Sequence, residues 1–534
     1  MGFKNYPESF WDTFFSILIF SKNFFIYIIP EFLFLCYLLL SLVFLVIFFS
    51  QKAEYSLSGS RLKYILKNLV LIILNKLIIF LYILSLLYVC IFLLTHKEVY
   101  IYNNIFSIDS YSIFFKFFLT CVFIAVLIFC FQFMLFESLG SLELPILLGF
   151  SLFFSLILLT TIDFFLMYLM IEALTFIVCI LIATNYSSEH SLESAIKYFI
   201  ISSLASGFII YGVFWIYAIT KGTSFIEFQI FFFYNSISIS FINSLKLPVV
   251  FIIIGFLIKL GAFPFSIWTP DVYEGSPIFI VFYFIVVLKT VFIVFFTRVL
   301  FFVFINFHSY WYWFLIISAI GSFLFGSFGA YSQKNIKRFF AYTSLNQLGF
   351  ILLGLSSFSP ELAVNCTIFF LITYVINNLL FFSIFLCFYS SHSYRPIALL
   401  SDLKGLSFFY PWQAIGISIA LFSFIGLPPL AGFFSKFFIL LSASKSNFFF
   451  CLIIALISNG ISAFYYIKLL KMIWFEPFFA LNSRFFFYQT ILNYKIVFIV
   501  SLTIFFNFFF FLSSNLYLSL FKIISIACFN MFSF

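Results

Sequence analysis

Five ionisable side chains stand inside sequence that otherwise reads as hydrocarbon: Glu172, Lys197, Lys259, Lys289 and Lys436. Glu172 lies in Leu166-Met-Tyr-Leu-Met-Ile-Glu172-Ala-Leu-Thr-Phe-Ile, and Lys289 in Ile285-Val-Val-Leu-Lys289-Thr-Val-Phe-Ile. A charge at the centre of a bilayer costs roughly 2.5–3.5 kcal/mol on insertion scales, so keeping one points to a task. An ammonium taken out of water releases its proton more readily, and a guanidinium does not. Lysines strung together with one carboxylate therefore suit the passage of protons, each charge altering the proton affinity of the next. The competing reading is a fixed ion pair, or lysines that stretch to the interface. It weighs most for Lys197, which lies early in its segment, four residues after Glu193.

Two of the lysines sit beside interrupted helices. One segment reads Gly255-Phe-Leu-Ile-Lys259-Leu-Gly261-Ala-Phe-Pro264, another Gly426-Leu-Pro428-Pro429-Leu-Ala-Gly432-Phe-Phe-Ser435-Lys436. Proline removes a helix hydrogen bond and clashes with the preceding turn. Pro264, Pro428 and Pro429 are thus expected to break these helices. Within a membrane such breaks are tolerated where the freed backbone lines a polar cavity.

The elements that must hold these residues are membrane spans. Of 534 residues, 65% are hydrophobic and 8% charged, against about 25% charged in a soluble domain. That excludes a soluble enzyme, a disordered regulator and a secreted disulfide scaffold. Stretches long enough to span run 23–50, 66–95, 110–131, 142–160, 162–184, 195–220, 247–268, 277–302, 310–330, 337–356, 362–389, 408–440, 447–473 and 492–512, with an apolar tail at 513–534. The expected fold is an all-α polytopic membrane protein of about fourteen transmembrane helices. The broken helices are the seventh and twelfth. An offset of five reverses direction, so helices 4–8 and 9–13 are expected to be two inverted five-helix repeats. The division is then 1–141 for helices 1–3, 142–302 and 310–473 for the repeats, and 474–534 for the last helix and tail.

Other chemistry finds little support. The nine cysteines, of 534 residues, form no CxxC pair, and the four histidines form no metal-ligand pattern. There is no GxGxxG or P-loop for a nucleotide. The net charge of +9 is scattered through short loops, which disfavours nucleic acid. Met1 to Lys22 lacks the small-residue cleavage site of a signal peptide. Lys116 is expected to stretch to the interface, and Lys334, Lys337 and Arg338 to act as an orientation signal. Basic residues concentrate in odd-numbered loops (Lys52, Arg61, Lys63, Lys334, Lys337, Arg338, Arg395, Lys404, Lys468, Lys471, Arg484), which turns those loops to the matrix or cytoplasm and both termini to the other side.

The motifs resemble one family. Phe256-Leu-Ile-Lys259-Leu-Gly-Ala-Phe-Pro264-Phe-Ser-Ile-Trp268-Thr-Pro270-Asp271-Val-Tyr273-Glu274-Gly275-Ser-Pro277 resembles NADH dehydrogenase subunit 2 of respiratory complex I, chain N in bacteria. Ile29-Pro30-Glu31, Asp109 to Lys116, Tyr168 to Glu172, Glu193 to Lys197, Ile336 to Ser344 and Gly426 to Lys436 are similar too, so the likeness covers roughly residues 25–475.

The resemblance implies an antiporter-like, proton-translocating membrane-arm subunit of an NADH:ubiquinone reductase, in the mitochondrial inner membrane with the odd loops in the matrix and both termini on the intermembrane-space side. It implies no redox centre in this chain; NADH, FMN, iron–sulfur clusters and ubiquinone are used by other subunits. Implied partners are subunit 4, the side formed by subunits 4L, 6 and 3, accessory subunits and lipids such as cardiolipin. Glu172 would be the fifth-helix glutamate, Lys197 its sixth-helix partner, Lys259 the broken-helix lysine, Lys289 the connecting lysine and Lys436 the exit-side lysine. Gln347 departs from the family, where many relatives carry histidine, so no proton-carrying role falls to it. A cation/proton antiporter of the related multi-subunit family, a structural scaffold and a bacterial membrane origin stay open as alternatives.

Overall fold

The computed structural model describes residues 31, 34–43, 99–101, 105–136, 143–185, 188–235, 239–386, 388–390, 398–476, 488–490 and 494–512. The expected second span, 66–95, and the tail at 513–534 lie outside them. The other expected spans are helical: α1 (Phe34–Val43), α2 (Ser110–Phe136), α3 (Leu144–Thr160), α4 (Phe164–Ile182) and α5 (Glu189–Thr220). A short α6 (Phe225–Asn235) connects to α7 (Ile239–Leu260) and α8 (Trp268–Gly275), the two halves of the seventh span. After α9 (Ile278–Val303) come α10 (His308–Ser332), α11 (Ile336–Leu355), α12 (Pro360–Phe385) and the short α13 (Leu406–Phe409). The halves α14 (Pro411–Ile425) and α15 (Ala431–Lys445), then α16 (Phe449–Trp474) and α17 (Tyr494–Leu512), complete the order. Eight of these helices are long and apolar enough to span by length and composition.

Glycine, rather than proline, ends both first half-helices. Gly261 (φ 68°) and Gly426 (φ 87°) adopt the left-handed conformation, which a Cβ disfavours. In each case the next amide reaches back five residues, Ala262 N–H to the Leu257 carbonyl at 3.0 Å and Leu427 N–H to the Phe422 carbonyl at 3.2 Å. This is the Schellman closure of a helix C-terminus. Pro264 and Pro428-Pro429 follow and prevent the helix from resuming. At the second break the halves meet so closely that a Cβ on Gly432 would lie 1.8 Å from the Ser423 carbonyl oxygen.

The neighbour relations support the five-helix repeats. Within the first set α3 packs on α4, α4 on α5, α5 on α7, α7 on α9, and α3 on α9. Advanced by five spans, the same relations hold: α10 on α11, α11 on α12, α12 on the halves α14 and α15, those halves on α16, and α10 on α16. The close approach of α5 to α7 uses Gly212 and Gly255, whose added Cβ atoms would meet Ile252 and Ile209 at 2.7 and 2.4 Å. The sets join where α9 packs on α12 and α8 packs on α11. The two longest spans of this junction are the most deeply buried, α9 completely and α12 almost so.

At one end of α9, Arg298 is held by a buried ion pair. Its guanidinium lies 3.6 Å from Asp109, the two side chains being 2% and 3% exposed. It also donates to the Leu159 carbonyl at 2.6 Å and to Ser107 Oγ. Ser107 belongs to the strand Phe106–Ile108, antiparallel to Val99–Ile101. Lys116 likewise does not stretch to the interface. It pairs with Glu31 inside the protein, where a carboxylate removes the need to reach water.

Removing one member of a buried pair strands the other. Asp109→Leu should lower stability by about 3 kcal/mol, and adding Arg298→Met should recover most of it. Thermal inactivation of the detergent-solubilised protein reads this. A single variant as stable as the parent would contradict the assignment.

Candidate functional site

The axis of polar groups starts on α4. Glu172 is half-buried, one turn before Thr175, whose hydroxyl donates to the Glu172 carbonyl at 2.8 Å. Its carboxylate is the charge that bears on Lys259. Lys259 ends α7, just before Gly261, and is 7% exposed. Its Nζ is buried, with no hydrogen-bond partner among the described residues. The terminal carbonyls of α7 are closed another way, with Trp268 Nε1 of α8 donating to the Ile258 carbonyl at 3.2 Å.

Lys289 is the middle of the axis. The stretch Phe284–Leu288 is π-helical and ends at Lys289, a local widening of the helix often found at functional sites. Lys289 Nζ donates to Ser344 Oγ of α11 at 2.8 Å and lies 5.7 Å from the centre of the Tyr273 ring of α8. One side chain thus touches α8 of the first repeat and α11 of the second.

Beyond Ser344 the polar groups are uncharged. The Tyr466 hydroxyl of α16 sits beside Gln347 and Thr343 of α11 and beside Tyr465. Tyr465 in turn faces Asn346 and Ser462. Ser462 Oγ donates to the Asn459 carbonyl at 2.7 Å, and Asn459 Oδ1 accepts from Lys436 Nζ at 2.5 Å. Gln347, read from sequence as a departure from the family pattern, is a polar neighbour here.

Lys436 is 5% exposed on α15. Its ammonium donates back across the break to the carbonyls of Phe424, at 2.6 Å, and Ile425, at 3.1 Å. These carbonyls end α14 and lack the partner a continuing helix would supply. The break and the lysine satisfy each other.

Lys197 differs from the other four. It was expected as a mid-membrane charge partnered by Glu172, but its side chain is 43% exposed, with Glu193 at 2.7 Å and Asp271 at 3.6 Å. The 32 residues of α5 reach about 48 Å at 1.5 Å per residue, against about 30 Å of hydrocarbon. This helix is therefore longer than the hydrocarbon is thick. Lys337 and Arg338, read from sequence as an orientation signal, also have specific contacts. Arg338 lies 3.5 Å from Asp271 and reaches Glu274, and Lys337 donates to the carbonyls of Glu274 and Ser276.

Sequence reasoning missed Ser344, Asn459, Tyr465, Tyr466 and Asp271. Two adjacent tyrosines and an asparagine within an apolar span were the available signal for three of them.

These features are shared with known proteins. Residues 161–462 match the family described as NADH:quinone oxidoreductase/Mrp antiporter, TM. The NADH-quinone oxidoreductase subunit N of Pelagibacter ubique is 35% identical over 338 residues, 62% of this chain and 69% of the relative. The NADH-ubiquinone oxidoreductase chain 2 of Marchantia polymorpha is 32% identical over 70% of this chain and 76% of its own length. A chain of respiratory complex I from Thermus thermophilus has the same fold, with a TM-score of 0.68, 23% identity and coverage of 85% and 97%. So does a chain of the Mrp complex from a Dietzia species, with a TM-score of 0.71, 16% identity and coverage of 88% and 93%. The chain belongs to the NADH:quinone oxidoreductase/Mrp antiporter membrane family, among the proteins named NADH-quinone oxidoreductase subunit N or NADH-ubiquinone oxidoreductase chain 2.

Proposed function

We propose that the chain is a proton-translocating membrane-arm subunit of respiratory complex I. Protons pass along a mid-membrane relay of Glu172, Lys259, Lys289 and Lys436, with Lys197 at its inner mouth. The observation that carries this reading is the succession of polar groups from half-buried Glu172 through buried Lys259 and Lys289 to buried Lys436, across an interior rich in Phe, Ile, Leu and Val. The names of the sequence relatives favour the respiratory complex over a free-standing cation/proton antiporter. Redox chemistry on NADH, FMN, iron–sulfur clusters and ubiquinone belongs to other subunits. The neighbours are other membrane-arm subunits, subunit 4 on one side and the subunits 4L, 6 and 3 on the other, with accessory subunits and cardiolipin around them. The compartment is the mitochondrial inner membrane, with odd loops in the matrix. The scarcity of arginine, with five among 27 basic residues, fits an AT-rich genome of that kind.

The chemistry follows from the surroundings. A proton leaving against the membrane potential works against about 2.3 kcal/mol per charge for each 100 mV. The last carrier must therefore alternate between holding and releasing it. Lys436, backed by the Phe424 and Ile425 carbonyls and by Asn459, is stabilised when charged, and a positive charge arriving at Lys289 weakens that hold through Coulomb repulsion. Pro264, Pro428 and Pro429 keep the breaks open. The glycine-ended half-helices direct carbonyls into the axis in place of water.

Two outcomes test this. Lys436→Arg keeps the charge and removes the ability to release a proton, so NADH-driven proton pumping in vesicles should fall at least about tenfold. Pumping equal to the parent would make Lys436 a fixed charge. Glu172→Gln should leave the complex assembled on native gels and reduce protons moved per NADH. Full pumping at full NADH oxidation in that variant would remove Glu172 from the relay.

A further inference from the structure

The short helix α8 is held between the two repeats by charge. Asp271 divides its carboxylate: Oδ2 lies 3.6 Å from Lys197 of α5, and Oδ1 lies 3.5 Å from Arg338 of α11. The two distances are nearly equal and neither is a tight pair, so Asp271 is shared between one cation from each repeat. One turn on, Glu274 takes Asn335 Nδ2 at 2.6 Å and the Arg338 guanidinium. Lys337 Nζ closes the end of the helix on the Ser276 carbonyl at 2.7 Å. On the other flank Gly275 lies directly against α5, where an added Cβ would meet the His190 carbonyl oxygen at 2.5 Å.

The two cations are not equivalent. Arg338 also grips Glu274 on α8 itself, whereas Lys197 has its nearer partner, Glu193 at 2.7 Å, on its own helix. Lys197 draws Asp271 toward α5, and Arg338 draws it toward α11. What moves with Asp271 matters, because α8 also carries Tyr273, whose ring faces Lys289, and Trp268, which caps α7 next to Lys259. The helix that receives Asp271, α11, carries Ser344, the hydrogen-bond partner of Lys289.

We propose that Asp271 is a positioning residue for proton transfer, an electrostatic tie shared by Lys197 and Arg338 that holds α8 between α5 and α11, and so sets the surroundings of Lys289. The inference rests on the relay reading above and deepens it. Lys259, Lys289, Lys436 and Glu172 need not touch Asp271 for it to act. It sets where two helices sit in relation to Lys289.

The test is a double-mutant cycle in the assembled complex, reconstituted in vesicles and read as protons moved per NADH oxidised. NADH oxidation by an artificial acceptor and native-gel abundance normalise for assembly. Asp271→Asn should lower the ratio by about two- to fivefold, the reach of a half-exposed ion pair, and Asp271→Glu should restore most of it. In a Lys197→Met background Asp271→Asn should have no further effect. Arg338→Gln should reproduce the loss and Arg338→Lys should largely preserve the ratio, which covers the case in which Asp271→Asn does not assemble. Additive effects of Asp271→Asn and Lys197→Met, or a parental ratio in Asp271→Asn, would overturn the tie while leaving the relay standing. An unchanged ratio in Lys197→Met alone would instead remove Lys197 from the relay and the tie with it.

Discussion

Buried charge and unpaired backbone are both costly in hydrocarbon, and this protein sets one against the other. A lysine ammonium needs acceptors that water no longer supplies, and the last carbonyls of a stopped helix need donors. At the second break the two needs meet directly, Lys436 donating to the carbonyls of Phe424 and Ile425. At the first break Trp268 closes the carbonyl end, and the Lys259 Nζ has no hydrogen-bond partner among the described residues. The same glycine-closed stop thus gives two lysines of different character, one solvated by backbone and one held only by the nearby charge of Glu172.

The rest of the architecture serves this arrangement. Five-helix sets with matching neighbour relations put a broken helix beside the most buried spans of each repeat. The junction brings Lys289 against both α8 and α11. The buried Arg298–Asp109 pair fixes the far end of the same helix, so the π-helical turn before Lys289 lies in a helix anchored at one end and adaptable in the middle. Charge at the ends of the bundle holds α8, and charge in the middle is left free of strong carboxylate partners, as a moving proton requires.

Much of this was legible in the sequence. Lys259, Lys289 and Lys436 stood out because an ammonium in an apolar run is costly, and the breaks stood out by their prolines. The helix stop was harder to read, because proline is conspicuous and the glycine that ends the helix is not. Lys197 differs from the other lysines in its surroundings, because α5 begins at Glu189 and so brings Glu193 one turn before it, with Asp271 of α8 alongside. Ser344, Asn459, Tyr465 and Tyr466 were invisible as a group. Their relation to the lysines comes from packing between helices far apart in the chain. The sharing of Asp271 has the same origin, since Arg338 follows it by 67 residues.

The central claim is that the break and the lysine act as one device, so the most direct measurement changes the break and keeps every ionisable group. Gly426→Ala places a Cβ on a residue with φ of 87°, a strain of about 1–2 kcal/mol that the fold can absorb. It disturbs the turn whose carbonyls hold Lys436. Protons moved per NADH should fall in the assembled complex while NADH oxidation by an artificial acceptor stays at the parental rate. A parental proton ratio with the glycine replaced would contradict the account.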